Sequence, residues 1–219
     1  AAWWEQELRR ELTMGLKQVL LLGAGLESLP CRQTAEMERM SFYEGDTPAV
    51  LAEKEKRLRE VGITTPRNVY RVGVDLAEDW EKTLLEMTPF ATEQRTLTAL
   101  LGVVYYLPRA AMEALLKRLA AITSQGSSLL FDCPMRDFGT GGDAAGQQRA
   151  LAKSAGETME QGYTLPELAL MLERHGFLIY EDMGPREITE RFYAGYNEGH
   201  PESPVLLLPG TALVLAARH

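Results

Sequence analysis

The hydrophobic pattern of the chain alternates between short apolar runs and longer amphipathic stretches. Gln18–Leu22 is almost continuously apolar, which is typical of a strand buried on both faces of a parallel sheet. Apolar residues at helical spacing between such runs predict helices. The predicted strands are Gln18–Leu22, Phe42–Tyr43, Asn68–Val74, Thr96–Val104, Ser128–Asp132, Phe177–Met183 and Ala212–Ala217. The predicted helices are Trp3–Met14, Pro48–Glu60, Ala77–Met87, Pro108–Ile122, Leu165–His175 and Arg186–Tyr193.

This order of elements predicts one α/β domain over residues 1–219. Strands that alternate with helices form an open, mostly parallel sheet with helices on both faces. Residues 1–16 are expected to hold one short helix, and the glycine-rich stretch 134–162 to be a mobile insertion.

Composition and charge narrow the class of protein. The 219 residues include 23 Lys and Arg against 31 Asp and Glu, a net charge of −8 with no basic run, so nucleic acid is not expected as a partner. The longest uncharged apolar stretch, Ser203–Ala217, is too short to span a bilayer, and no secretory signal is recognisable. Cys31 and Cys133 form no metal-binding motif, which fits a reducing cytoplasm.

Glycines and acids follow the first two strands. Gly23-Ala24-Gly25 ends the first strand, where glycines let the backbone turn tightly against a ligand. Ser28 stands where a dinucleotide fingerprint needs a third glycine, which argues against diphosphate binding. Asp46 lies 21 positions after Gly25, the offset at which a carboxylate accepts hydrogen bonds from a ribose. The alternative is that Glu44 or Asp46 caps the following helix.

A third acid follows the third strand. In Val74-Asp75-Leu76 the carboxylate of Asp75 can accept from an adenine amine while Leu76 packs on the ring, or the acid can cap a helix. Three such sites after three successive strands describe an adenosine site without a diphosphate. They favour S-adenosylmethionine over a nicotinamide.

The chain resembles the leucine carboxyl methyltransferase-like family, which includes bacterial O-methyltransferases linked to polyketide biosynthesis. Five segments carry the resemblance in consistent order: QVLLLGAGLE at 18–27, YEGDTP at 43–48 with Lys54, VDL at 74–76 with Trp80, TL at 96–97 with GVVYYLP at 102–108, and YTLPEL at 163–168 with GF at 176–177.

The resemblance implies a class I methyltransferase fold, Rossmann-like, with about seven strands and an antiparallel last strand. It implies that Asp46 holds the ribose with Glu44 close by, and that Tyr106, beside Tyr105 at the end of the fourth strand, is the catalytic residue. Leu101 stands where the family has an acid. The full set of residues expected at the cofactor is Gly23, Ala24, Gly25, Glu44, Gly45, Asp46, Val74, Asp75, Leu76 and Leu101.

The expected function is S-adenosylmethionine-dependent O-methylation of a carboxylate or hydroxyl of a small molecule. The alternative, favoured by Leu101 and by the short segment before the first strand, is a catalytically degenerate protein of the same fold that acts as an interaction or regulatory module. A nicotinamide oxidoreductase is disfavoured by Ser28. The apolar face of Trp3, Trp4, Leu8 and Leu12 must lie on flanking helices, in a partner subunit or over the cofactor. The first two are favoured, and a homodimer is plausible.

Overall fold

The computed structural model describes residues 2–136, 162–207 and 210–219. The strands in these ranges are β1 (Gln18–Leu22), β2 (Ser41–Asp46), β3 (Val69–Gly73), β4 (Thr96–Leu100), β5 (Ser128–Pro134), β6 (Phe177–Met183) and β7 (Thr211–Arg218). The α-helices are α1 (Ala2–Thr13), α2 (Pro48–Glu60), α3 (Trp80–Met87), α4 (Arg109–Ile122), α5 (Leu165–Arg174) and α6 (Pro185–Gly199).

The seven described strands form one sheet in the order β3-β2-β1-β4-β5-β7-β6. Strands β1 to β5 pair in parallel, and β7 runs antiparallel to both of its neighbours, β5 and β6. The strand order reverses between β1 and β4, which is where open α/β sheets bind ligands. The predicted fold, including its antiparallel last strand, is confirmed.

Apolar side chains cover both faces of the sheet. On one face, Leu20 and Leu129 of the sheet pack in one cluster with Leu115 of α4. On the opposite face, Leu21 and Leu130 pack with residues of α1 and α6. Neighbouring residues of one strand thus enter opposite clusters, as the pleat of a strand requires.

Helix α1 lies on the sheet of its own chain. Trp3, Trp4 and Leu8 are buried, and they share a cluster with Val19 of β1 and Ile188 of α6. The sequence prediction placed this face on flanking helices or in a partner subunit. Because the face is covered within the chain, it no longer argues for a homodimer.

Four predicted boundaries are wrong by three residues or more. β2 continues to Asp46 instead of ending at Tyr43. The fourth strand ends at Leu100 instead of continuing to Val104, because Gly102 turns the chain with φ +71° and a 3₁₀ turn follows. The last helix continues to Gly199, through residues expected in a loop, and α3 begins at Trp80. Helix α5 begins with a capping box, in which the Thr164 side chain accepts from Glu167 N and the Glu167 side chain accepts from Thr164 N.

The predicted insertion 134–162 lies mostly outside the described residues, which stop at 136 and resume at 162. The described ends lie side by side, because Arg136 N donates to Tyr163 O at 2.7 Å and Tyr163 N donates to Pro134 O at 2.9 Å.

Candidate functional site

A tight turn follows β1 at the carboxyl edge of the sheet. Gly23 and Gly25 both have positive φ, +69° and +48°, a region that favours glycine. A Cβ on Gly23 would lie 2.3 Å from a methyl carbon of Val103, so a side chain cannot be accommodated there without movement. Val103 therefore fills the space that a Gly23 side chain would need, whereas a Cβ on Gly25 would have only Gly23 O near it, at 3.9 Å.

Asp46, the last residue of β2, faces this turn. Its Oδ2 accepts a hydrogen bond from Gly25 N at 2.8 Å, and its Oδ1 accepts from Thr47 N at 2.7 Å. The cap of α2 is Thr47, whose side chain accepts from Val50 N, so neither Asp46 nor Glu44 is used as a cap. A carboxylate has about four acceptor positions, which leaves Asp46 about two for a ligand.

Glu44 does not reach the ligand edge. Its side chain is 0% exposed, with Oε1 2.7 Å from Lys54 Nζ and Oε2 2.8 Å from Arg71 Nε. The expectation that Glu44 contacts the cofactor is corrected, because a fully buried carboxylate between two cations holds β2, α2 and β3 together. Lys54 belongs to the segment that carries the family resemblance, and its ion pair with Glu44 gives it a structural role.

Asp75 follows β3 in an exposed position. Its Oδ1 accepts from Ala77 N at 2.9 Å, and α3 begins five positions later, so Asp75 does not cap that helix. Leu76 is half-buried against the apolar cluster. A Cβ on Gly45 would lie 3.1 Å from side-chain atoms of Leu22 and Val74, which places Val74 against the end of β2.

A cavity of about 230 Å³ opens beside the glycine turn. Four residues predicted at the cofactor, Gly23, Ala24, Gly25 and Leu101, are brought together in its wall. The remaining lining residues are Leu21, Leu22, Leu26, Glu27 and Ala99. The cavity thus lies over the junction of β1 and β4, where the strand order reverses.

Sequence reasoning missed Asp132, near the end of β5. Its Oδ1 accepts from Gly102 N at 2.6 Å, and burial raises the pKa of its carboxyl group. Tyr105 donates to Thr211 Oγ1 at 3.4 Å, and burial together with the charge of Asp132 raises the pKa of the Tyr105 phenol. One signal in the sequence could have identified Asp132 as a site residue. It is an acid at the end of a predicted strand, much as Asp46 and Asp75 are acids that come after predicted strands.

Tyr105 and Tyr106 were expected at the end of the fourth strand. They belong instead to the 3₁₀ turn Val104–Tyr106 that follows β4. Tyr105 is half-buried, whereas Tyr106 is 42% exposed. Of the two, Tyr106 is the more accessible to a ligand.

A second cavity, of about 550 Å³, lies at the opposite edge of the sheet and is lined in part by Arg9, Lys17 and Arg39. It shares no residue with the carboxyl edge.

Within the part of the chain that the structure describes, no three His, Cys, Asp or Glu residues are grouped to hold a metal, and none of the helices is long and apolar enough to cross a membrane.

The strand order, the glycine turn and the acid facing it define a class I methyltransferase fold. Two solved structures illustrate it: an O-methyltransferase family protein from Burkholderia thailandensis (12% identity, TM-score 0.59, 94% of this chain and 52% of that chain), and magnesium protoporphyrin IX methyltransferase from Synechocystis PCC 6803 with bound SAH (14% identity, TM-score 0.59, 98% and 79%). At these identities the likeness concerns the fold alone.

The model of the leucine carboxyl methyltransferase family matches residues 1–120, and the chain belongs to that family. The predicted family is thereby confirmed, while its polyketide-type branch stays a prediction.

Among curated relatives, YktD of Bacillus subtilis (strain 168), named for S-adenosyl-L-methionine-dependent methyltransferase activity, is 31% identical over 202 residues, which are 90% of this chain and 66% of that protein. A similarly named protein of Mycolicibacterium paratuberculosis is 34% identical over 135 residues, 62% of this chain and 42% of that protein. The chain therefore spans about two fifths to two thirds of these relatives.

Proposed function

We propose that the chain is an S-adenosylmethionine-dependent methyltransferase that methylates an oxygen of a small molecule, a carboxylate or a hydroxyl. The observation that carries this proposal is the Asp46 carboxylate hydrogen-bonded to Gly25 N at 2.8 Å, beside a cavity walled by the glycine turn. Family membership and the names of the relatives support methyl transfer from S-adenosylmethionine, while the oxygen acceptor is this proposal's own addition.

The residues at this edge fit the cofactor in three places. Gly25, which has open space on its Cβ side, leaves room for the methionine part, and the two remaining acceptor positions of Asp46 suit the two ribose hydroxyls. The oxygen of Asp75 that Ala77 N does not occupy can accept from the adenine amine, with Leu76 beside the ring.

The cavity does not suit a diphosphate. The lining residues that the structure describes include Glu27 and no Lys or Arg, and Ser28 replaces the third glycine of the dinucleotide fingerprint. A nicotinamide dinucleotide is therefore disfavoured.

When bound, S-adenosylmethionine supplies a methyl group on a positively charged sulfur. The work left to the chain is to hold the acceptor oxygen in line with that methyl and to exclude water. We place Tyr106 at the acceptor, because it is exposed in the segment after β4 that begins with Leu101 of the cavity wall. A carboxylate acceptor is already ionised and needs no base, whereas a hydroxyl must lose a proton.

Two measurements test the proposal. Titration calorimetry with S-adenosylhomocysteine should show binding, and NAD as the matched adenosine-containing control should show none. Incubation with methyl-labelled S-adenosylmethionine and panels of phenols, alcohols and carboxylic acids should then transfer label. Binding without transfer would favour the non-catalytic module instead, and binding of NAD alone would contradict the cofactor assignment.

A further inference from the structure

If the proposed function holds, the strand order of the sheet determines where the methyl acceptor binds. The residues proposed to hold adenosine follow β1, β2 and β3, on one side of the reversal in strand order. A substrate that meets the cofactor end to end must therefore lie on the other side, above β4 and β5. The residues there are those of the turn after β4 and of the end of β5.

Asp132 is the carboxylate at that position. The β4–β5 register pairs Leu100 with Phe131, so the next step places Asp132 beside Leu101, which lines the cavity. Leu130, two positions earlier on β5, belongs to the same apolar cluster as Leu21, Ala99 and Leu101. Since side chains two apart share a face, Asp132 and the cavity lie on the same face of the sheet.

The contacts of Asp132 leave it competent to accept a further hydrogen bond. Its Oδ1 accepts from Gly102 N at 2.6 Å, and the Tyr105 hydroxyl, 3.4 Å from Thr211 Oγ1, also hydrogen-bonds the Asp132 carboxyl. These two donors use two of the about four acceptor positions of a carboxylate, which leaves about two for a ligand. Within the described residues no Lys or Arg forms an ion pair with Asp132, in contrast to Glu44 with its two cations. A partly buried carboxylate without such a partner attracts a proton donor and repels a second carboxylate.

We infer that Asp132 binds the acceptor as a hydroxyl group and takes its proton, so that the acceptors are hydroxyl compounds and carboxylates are rejected. A carboxylate acceptor would bring two negative charges together, and none of the described Lys or Arg side chains pairs with Asp132 to offset them. Tyr105 cannot replace Asp132 as the base, because its raised pKa keeps the phenol protonated. Tyr105 positions the site instead.

The step balances without a further reactant. The acceptor oxygen forms a bond to the methyl carbon as the carbon–sulfur bond breaks, and that electron pair stays on sulfur, which becomes neutral. The hydroxyl proton passes to an oxygen of Asp132 and from there to water. The products are a methyl ether and S-adenosylhomocysteine.

The test uses the chemistry of the product and an isosteric variant. Label from S-adenosylmethionine should enter the phenol and alcohol panel as ether that survives mild alkali, and the carboxylic acid panel should yield no alkali-labile ester. Asp132→Asn, which keeps an oxygen for Gly102 N, should lower ether formation by about 100-fold or more, the usual contribution of general base catalysis. Its affinity for S-adenosylhomocysteine should stay within about twofold, since Asp132 lies outside the proposed adenosine half.

Asp182→Asn is the matched control, because Asp182 is also a partly buried carboxylate whose pKa burial raises, but it lies in β6 at the far edge of the sheet. It should leave ether formation unchanged. If Asp132→Asn unfolds, Asp132→Glu should retain part of the ether formation. Ester as the main product, or ether formation unaffected in Asp132→Asn, would overturn the inference while leaving the proposed function intact. Label in neither class would contradict the proposed methyl transfer itself, and the inference with it.

Discussion

Glu44 Oε1 lies 2.7 Å from Lys54 Nζ, and both side chains are almost completely buried between β2 and α2. Arg71 Nε, 2.8 Å from the other oxygen, completes a buried group of two cations and one anion. Breaking a buried ion pair leaves an uncompensated charge. This group makes the end of β2 rigid directly below Asp46.

Glu44→Gln is therefore expected to lower the free energy of unfolding by about 3–5 kcal/mol, because Lys54 and Arg71 would be left buried together without their anion. Urea unfolding measures the loss. Glu55→Gln, at an exposed position of α2 for which the described residues give no ion pair, is the control, and its effect should be within about 0.5 kcal/mol. Equal stabilities of the two variants would contradict the buried arrangement.

Asp46→Ala is expected to weaken the binding of S-adenosylhomocysteine by about 1–3 kcal/mol, because Gly25 N and the ribose hydroxyls lose their acceptor. Calorimetry measures the affinity at one pH and salt concentration. Glu36→Ala, an exposed carboxylate at the opposite edge of the sheet, should bind like the parent protein. An unchanged affinity in Asp46→Ala would remove Asp46 from the site.

Trp4→Ala is expected to cost about 3–5 kcal/mol of unfolding free energy, because a large side chain that is 1% exposed is removed from the face between α1 and the sheet. Met14→Ala, at an exposed position just after the same helix, should cost far less. Removing residues 1–13 should likewise lower stability and spare cofactor binding. A truncated protein of full stability that no longer binds S-adenosylhomocysteine would instead identify α1 as a lid.

Glu167 gives a pH dependence with a defined sign. The Thr164 backbone N–H, with Arg136 and Arg109, lowers the pKa of Glu167 from 4.5 to about 2. A carboxyl whose pKa is depressed in the folded state contributes stability above its ordinary pKa and loses it as the pH falls toward the depressed one. The melting temperature of Glu167→Gln should therefore lie below that of the parent at neutral pH.

That difference in melting temperature should shrink as the pH is lowered from about 4.5 toward about 2. Glu173→Gln on the same helix is the control, since no ion pair of Glu173 is recorded among the described residues. A difference between parent and Glu167→Gln that is constant over this pH range would exclude the charge of Glu167 as its cause.

The sheet and the glycine turn were predictable from sequence because their signals are local. A run such as Gln18–Leu22 is read from consecutive residues, and the 21-position offset from Gly25 to Asp46 follows from the length of one strand–turn–strand unit. The hydrogen bond between these two residues fits the proposed ribose site, whose occupant remains a prediction.

The errors concern contacts between distant residues. Glu44 is followed by its partners 10 and 27 positions later, and alternation alone cannot tell a buried pair from a ligand contact. The end of β4 depends on the positive φ of Gly102, which the apolar run Thr96–Val104 conceals. Asp132 is distinguished by a hydrogen bond from an amide 30 positions earlier, in the turn that follows the neighbouring strand β4.

The position of β7 has a consequence for the order in which the sheet can be completed during synthesis. β7, the last strand in the chain, lies between β5 and β6. Until residues 211–218 emerge, Leu130 and Phe131 lie on an unpaired edge of β5, and β6 has no place in the sheet. An unpaired apolar edge is a template for aggregation. If synthesis ended shortly before this strand, the truncated chain would contain the glycine turn and Asp46. Its β5 edge would be unpaired and open to aggregation.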